Sequence, residues 1–275
     1  MSACIVIINR LQLPLANNAD TKKKYFIHPE VSKAPNEKRR CKNESEEYPR
    51  QKGMSGVPFE ISIHMNDEKL KALLDRSVGF QADVHKLVGR LIPADGKRYF
   101  VALQSGLLSL EHATGALVLI GQGLYPSAFS LMRPQYESLV RGIWLLYAAN
   151  DTWVEKLGEP LTIESAKRAN EGLMLAEMLK ELEKSSTAPA PIVEQLKQYR
   201  DVTWKALNSY AHGGLHPLSR TRAGYPAQLT YDIVRNSNAI VALATQLISI
   251  LSGDSRNMEH VRRFHVEYSD CLPIQ

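Results

Sequence analysis

The 275-residue chain is poor in cysteine: Cys4, Cys41 and Cys271 are odd in number and far apart. That excludes a disulfide framework and a zinc cluster, and it points to a reducing compartment. Long apolar runs are also missing. The longest, Ala239 to Leu251, spans 13 residues and is interrupted by Thr245, Gln246 and Ser249, whereas a bilayer span needs about 20. The opening Ala3 to Ile8 run is too short for a signal h-region and has no positive flank before it. A cytoplasmic protein without a membrane partner is therefore expected. The sequence holds no phosphate-cradling glycine loop, no Gly-x-Ser-x-Gly elbow and no His-Glu-x-x-His, so the signatures of P-loop, serine-hydrolase and zincin chemistry are absent. No cofactor is expected.

The formal charge of +5 invites a nucleic-acid reading. Residues 1 to 53, however, carry 11 Lys/Arg against 6 Asp/Glu, and the chain from Met54 onward has 23 of each. The body is neutral, and a basic groove does not follow from the whole-chain value. The first 53 residues hold Lys22-Lys23-Lys24, Lys38-Arg39-Arg40 and few apolar residues after Leu15. Such a stretch buries too little surface to offset its ordering entropy. It is expected to be a disordered basic segment or a misassigned extension, with Met54 a candidate start of translation and residues 54 to 275 a single helical domain.

From Asn66 the apolar residues recur at three and four, the period of an amphipathic helix, and no strand-like alternation appears. The expected fold is all-α: a bundle of four to five long helices with short accessory ones. Asn66 caps a first helix that closes at Ile92-Pro93, and a second, richly apolar, runs from about Arg98 to Ile120. A third starts at Pro126 and continues to about Ala149, kinked by Pro134, which removes a backbone bond and frees a carbonyl near Ser130. Shorter helical stretches are expected at Thr152 to Leu157 and Ile163 to Lys184, with Ser185 to Pro189 as a linker. A helix from Pro191 to about His212 stops at Gly213-Gly214, a loop punctuated by Pro217, Gly224 and Pro226 follows, and the last long helix spans Ala227 to Leu251.

Three polar clusters could carry chemistry. Arg133, Glu137 and Arg141 share one face of the third helix, so Glu137 can pair with either arginine. They form either an ion-paired stripe welding the helix to its neighbours or an anion site in which Glu137 orients a guanidinium toward a phosphate or carboxylate. Asn208 and His212, four apart at a helix end, offer an accessible imidazole able to act as general acid or base. Alternatively, His212 fixes the turn and His216 is an ordinary loop residue. Glu111 and His112 lie midway along the most apolar helix, where polar groups need partners. Being adjacent, they point about 100° apart and do not make the Glu-x-x-His pairs of a di-metal bundle, so no metal site is expected.

Residues Arg133 to Trp144 read Arg-Pro-x-x-Glu-x-x-x-Arg-Gly-x-Trp, and Ser209 to Gly214 read Ser-Tyr-x-His-Gly-Gly. On these two motifs the chain resembles a group of uncharacterised bacterial all-helical families, over about Met65 to Ser252. Through them it is similar to the HEPN superfamily of helical bundles, many of which are metal-independent ribonucleases of toxin and phage-defence systems. That superfamily's signature is an arginine, a polar residue, three variable residues and a histidine. Asn208 and His212 match it, whereas Leu207 stands where the arginine would. The resemblance implies RNA as a partner and His212 as the proton-transfer group, with Arg133 or Arg141 standing in for the missing guanidinium. The alternative is a non-catalytic interaction protein whose Arg/Glu/His network is structural and whose apolar faces form a homodimer. A small-molecule or metal enzyme would instead use a pocket between the third and fifth long helices. Charge placement separates these readings: a ribonuclease gathers Arg133, Arg141, Arg200, Lys205, Arg220 and Arg222 around His212, and a partner protein scatters them.

Overall fold

The computed structural model describes residues 68–169 and 173–273. The segment 1–53, the expected cap Asn66, Cys4 and Cys41 lie outside the described residues. Eleven α-helices follow one another: α1 (Glu68–Val88), α2 (Lys97–Gly121), α3 (Tyr125–Ser130), α4 (Met132–Tyr147), α5 (Asp151–Leu157), α6 (Ile163–Ala169), α7 (Leu175–Lys184), α8 (Ala190–Ala211), α9 (Leu215–Ala223), α10 (Ala227–Leu251) and α11 (Asn257–Glu267). A 3₁₀ turn at Ser269–Cys271 comes last, and no strand occurs among the described residues. The fold is all-α.

Helix α1 buries Leu70, Leu73, Leu74, Phe80, Val84 and Leu87, the face its three-and-four spacing dictates. It ends at Val88, short of Ile92-Pro93. Gly96 then turns with φ 132°, a conformation open to glycine and costly for other residues, and delivers the chain to α2. Helices α2, α4 and α10 meet at the core. Their approach is so close at Gly142 that an added Cβ would stand 2.7 Å from Leu247 Cδ2 and 3.2 Å from the Ala102 carbonyl. A buried polar pin fixes their register. Ser109 donates to the Gln135 carbonyl (2.9 Å), Gln135 Nε2 donates to the Ser237 carbonyl (3.0 Å), and the Ser237 hydroxyl donates to Gln135 Oε1 (2.9 Å). Every member is satisfied, so the pin specifies one alignment without stranding a polar group. Arg98 closes the far end of α4, its Nη1 donating to the carbonyls of Leu145 and Ala149 at 2.6 and 2.7 Å. The Tyr136 hydroxyl ties α4 to α8 through the Leu196 carbonyl at 2.6 Å.

Helices α2 and α10 are each 25 residues long and apolar enough to cross a membrane by length and composition, with 39% and 67% of their apolar windows buried inside the fold. For α10, the apolar face is mostly the protein's own core.

Three expectations about elements are corrected, and one stretch with no expectation is helical. The third helix is broken rather than kinked: α3 stops at Ser130, Leu131 turns, and α4 begins anew, because Pro134 has no N–H to continue the ladder. The stretch from Ile163 to Lys184 is two helices, α6 and α7. The loop after Gly214 contains α9, with Pro217 in its first turn, where a proline's missing donor costs nothing. Beyond Ser252, α11 and the 3₁₀ turn pack back on α1. Tyr268 donates to Asp83 (2.6 Å), Asn238 Nδ2 donates to Ser77 Oγ and the Cys271 carbonyl, and Arg76 pairs with Asp270 at 2.8 Å.

Candidate functional site at the junction of α4 and α8

Arg133 occupies the first turn of α4, the positive end of that helix's dipole. Its Nε donates to Glu137 Oε1 at 2.9 Å, one turn on, and the two side chains are 22% and 26% exposed. The guanidinium lies over the Trp204 ring of α8, 5.0 Å from its centroid. Its Nη1 reaches His212 Nε2 at 2.5 Å. Arginine can only donate, so in this contact Nε2 accepts and the imidazole carries its proton on Nδ1. One guanidinium thus joins a carboxylate, an indole and an imidazole at the protein surface, where His212 is exposed.

The end of α8 explains why the imidazole is free to do this. His212 terminates the helix, its N–H donating to the Asn208 carbonyl at 3.0 Å. Gly213 follows with φ 64°, and Gly214 passes so close to Ser209 that a Cβ would meet its Oγ at 2.8 Å. The Ser209 hydroxyl then accepts from the His216 N–H (3.0 Å), starting α9. The two glycines reverse the chain and leave His212 unobstructed.

Leu207 is 7% exposed and packs with Ala116 and Met132. A guanidinium on that face of α8 would be driven into apolar packing. Arg133 supplies one from α4 instead. Arg141 does not: it lies eight residues further along, about 12 Å by helical rise, and makes no hydrogen bond or ion pair with a described residue. Glu137 therefore pairs with Arg133 alone. Asn208 stands one turn before His212, half-buried, with its Oδ1 buried and unpartnered. Glu111 is exposed and His112 half-buried on α2, and neither is hydrogen-bonded or ion-paired to Arg133 or His212. Burial holds the His112 imidazole below its ordinary value, opposed by the charge of Glu111. Among the described residues, no three of His, Cys, Asp and Glu gather as a metal-binding group.

Trp204 is the residue that sequence reading passed over, although its spacing of four and eight from Asn208 and His212 puts it on their face of α8. A second feature was hidden by averaging charge over the whole body. No Asp or Glu occurs between Glu111 and Glu137, nor between Asp201 and Asp232. The fold brings these two acid-free stretches together: Tyr125 stacks on Tyr225 at 5.3 Å, and Phe129 meets Tyr210 edge-on at the same distance. Lys205, Arg220 and Arg222 belong to the second stretch and enter no ion pair with a described residue, whereas Arg200 is engaged by Asp201 at 2.7 Å.

A family model described as a family of unknown function (DUF6988) matches residues 106–274. The chain belongs to this family. The DUF6988 region begins inside α2 and reaches past α11, so it includes the C-terminal return onto α1 and contains Glu111, His112, Arg133, Glu137, Arg141, Asn208 and His212. No curated protein and no solved structure matches the chain.

Proposed function

We propose that the junction of α4 and α8 is an RNA-phosphate site of HEPN-like type, with metal-independent cleavage as its chemistry and toxin or phage-defence systems as its setting. The contact between Arg133 Nη1 and His212 Nε2 carries this reading. It supplies in space the guanidinium that Leu207 removes from the signature. In the proposed reaction Arg133 holds a non-bridging oxygen of the scissile phosphate, oriented by Glu137 and backed by Trp204. With Arg133 Nη1 turned from His212 to the phosphate, the freed Nε2 lone pair takes the proton of the 2′-hydroxyl as its oxygen attacks phosphorus. The bond to the 5′ oxygen breaks, that oxygen takes a proton from solvent, and a 2′,3′-cyclic phosphate and a 5′-hydroxyl result.

The test is incubation of the full chain with single-stranded RNA, alongside His212→Asn and Arg133→Lys. The wild type should cleave. His212→Asn should lose on the order of 10² to 10⁴ in rate while remaining folded, because asparagine still suits a helix end beside glycine. Cleavage unaffected by His212→Asn, or none by the wild type, contradicts the catalytic reading.

The second reading, a non-catalytic homodimeric interaction protein, is favoured by Phe100, Leu107, Leu108 and Val118, which are exposed along α2. Phe100, Leu107 and Val118 fall on one face with Leu108 at its side, interrupted by the exposed Gln104 and Glu111, and no described residue covers them. A Leu107→Asp variant that stays dimeric in light scattering, or a wild type that is monomeric, would remove the support this strip lends.

A further inference from the structure

The contact between Arg133 and His212 covers the one atom that a proton-taking histidine needs. A neutral imidazole has a single nitrogen lone pair able to accept a proton, and with Nδ1 protonated that lone pair lies on Nε2. Arg133 Nη1 donates to this atom at 2.5 Å, so His212, although exposed to solvent, has its basic nitrogen occupied. The guanidinium is held in that position from two further sides. Glu137 Oε1 accepts from Nε at 2.9 Å, and the Trp204 ring lies against the flat face, 5.0 Å from its centroid to Cζ. Nη2 makes no hydrogen bond with a described residue. One end of the arginine fork is therefore open to an incoming acceptor while the other end is closed on the imidazole.

We infer that Arg133 is a self-inhibiting latch on His212, opened by a phosphodiester anion. The inference rests on the phosphate site proposed above and adds its regulation. Nη2 takes the first anionic oxygen. A second oxygen of the same phosphate then competes with Nε2 for Nη1, and it displaces the imidazole because it carries negative charge and because two parallel bonds match the planar fork. Glu137 keeps hold of Nε meanwhile, so the guanidinium turns at that carboxylate and stays in the site. His212 is uncovered only where a phosphate has arrived. A hydrogen bond from a charged donor lowers the share of uncovered lone pair by roughly tenfold to hundredfold, which sets how tightly the latch closes.

The experiment is carbethoxylation of the full chain by diethyl pyrocarbonate, which attacks an unprotonated and uncovered imidazole nitrogen, with a rate for each histidine from peptide mass spectrometry. His260, exposed on α11 and without a hydrogen bond to a described residue, is the internal reference. In neutral buffer His212 should react at least about tenfold more slowly than His260. Arg133→Met keeps a long side chain against Trp204 but has no donor, and it should bring His212 to within about twofold of His260. Dimethyl phosphate, a phosphodiester with neither base nor 2′-hydroxyl, should accelerate His212 in the wild type and not in Arg133→Met, whereas sodium chloride at the same ionic strength should leave the rate unchanged. Should Arg133→Met fail to fold, the dimethyl phosphate response of the wild type decides. Equal wild-type rates at His212 and His260, a His212 that stays slow in Arg133→Met, or no response to dimethyl phosphate overturns the latch. Because the probe cannot be cleaved, a chain that responds to it yet leaves RNA intact refutes the cleavage reading alone, and a chain that cleaves RNA with His212 uncovered from the start refutes the latch alone.

Discussion

Arg133 holds three partners with a single planar group, and each can be removed separately. Glu137→Ala leaves the guanidinium partly exposed, so the cost should fall between those of surface and buried pairs, about 1 to 2 kcal/mol by chemical denaturation. Glu155→Ala, whose carboxylate is 64% exposed beside Lys97, should cost less. Equal costs would mean that the Glu137 pair is energetically a surface one. At His265 the sign of the pH effect follows from burial. Its folded-state value is lowered from the ordinary 6.5, so below that pH the unfolded chain binds a proton that the folded chain resists. Stability should fall as pH drops from 7 to 5, and His265→Leu should flatten that decline in thermal melts. Asp83 and Asp270 have lowered values from an ordinary 3.8, and the stability they contribute is lost only as pH falls below it. What sequence revealed at this scale was identity and spacing within one helix. Glu137 beside Arg133 is an i, i+4 relation and was legible. The reach of Arg133 to His212, 79 residues away, depends on the packing of α4 against α8, which no local pattern encodes.

Among the elements, those with long apolar periods were read to within a few residues, as α2 and α10 illustrate. Two of the differences lie at prolines. Sequence alone suggests a kink at Pro134, where the helix breaks, and loop punctuation at Pro217, which lies in the first turn of α9. A proline's meaning depends on whether the carbonyl four residues before it has another use, which tertiary packing decides. Helix α11 leaves little sequence pattern because its buried face is short, Val261 and Phe264 completed by Tyr268 just beyond its end. The close meeting of α2, α4 and α10 yields a prediction. Gly142→Ala must displace Leu247 or press on the Ala102 carbonyl and should destabilise by about 1 to 3 kcal/mol. Gly121→Ala, with nothing within 4 Å, should be neutral or slightly stabilising in the same melts.

At the scale of the whole molecule, a body neutral in sum carries two acid-free stretches that pack together and hold Arg133, Lys205, Arg220 and Arg222. Glu137 is the carboxylate paired with the first of these. On the proposed reading these cations meet a polyanion, and field asymmetry governs encounter with such a partner more than net charge does. The most direct test is fluorescence anisotropy of a labelled single-stranded RNA titrated with the full chain across a salt series. Removing one phosphate contact should reduce the slope of log affinity against log salt by about 0.7. Arg133→Ala and Arg220→Ala should each weaken binding and lower the slope by about that amount, whereas Arg262→Ala, exposed on α11, should change neither. Binding that is absent in the wild type, or that responds to Arg262→Ala as strongly as to Arg133→Ala, would contradict the account.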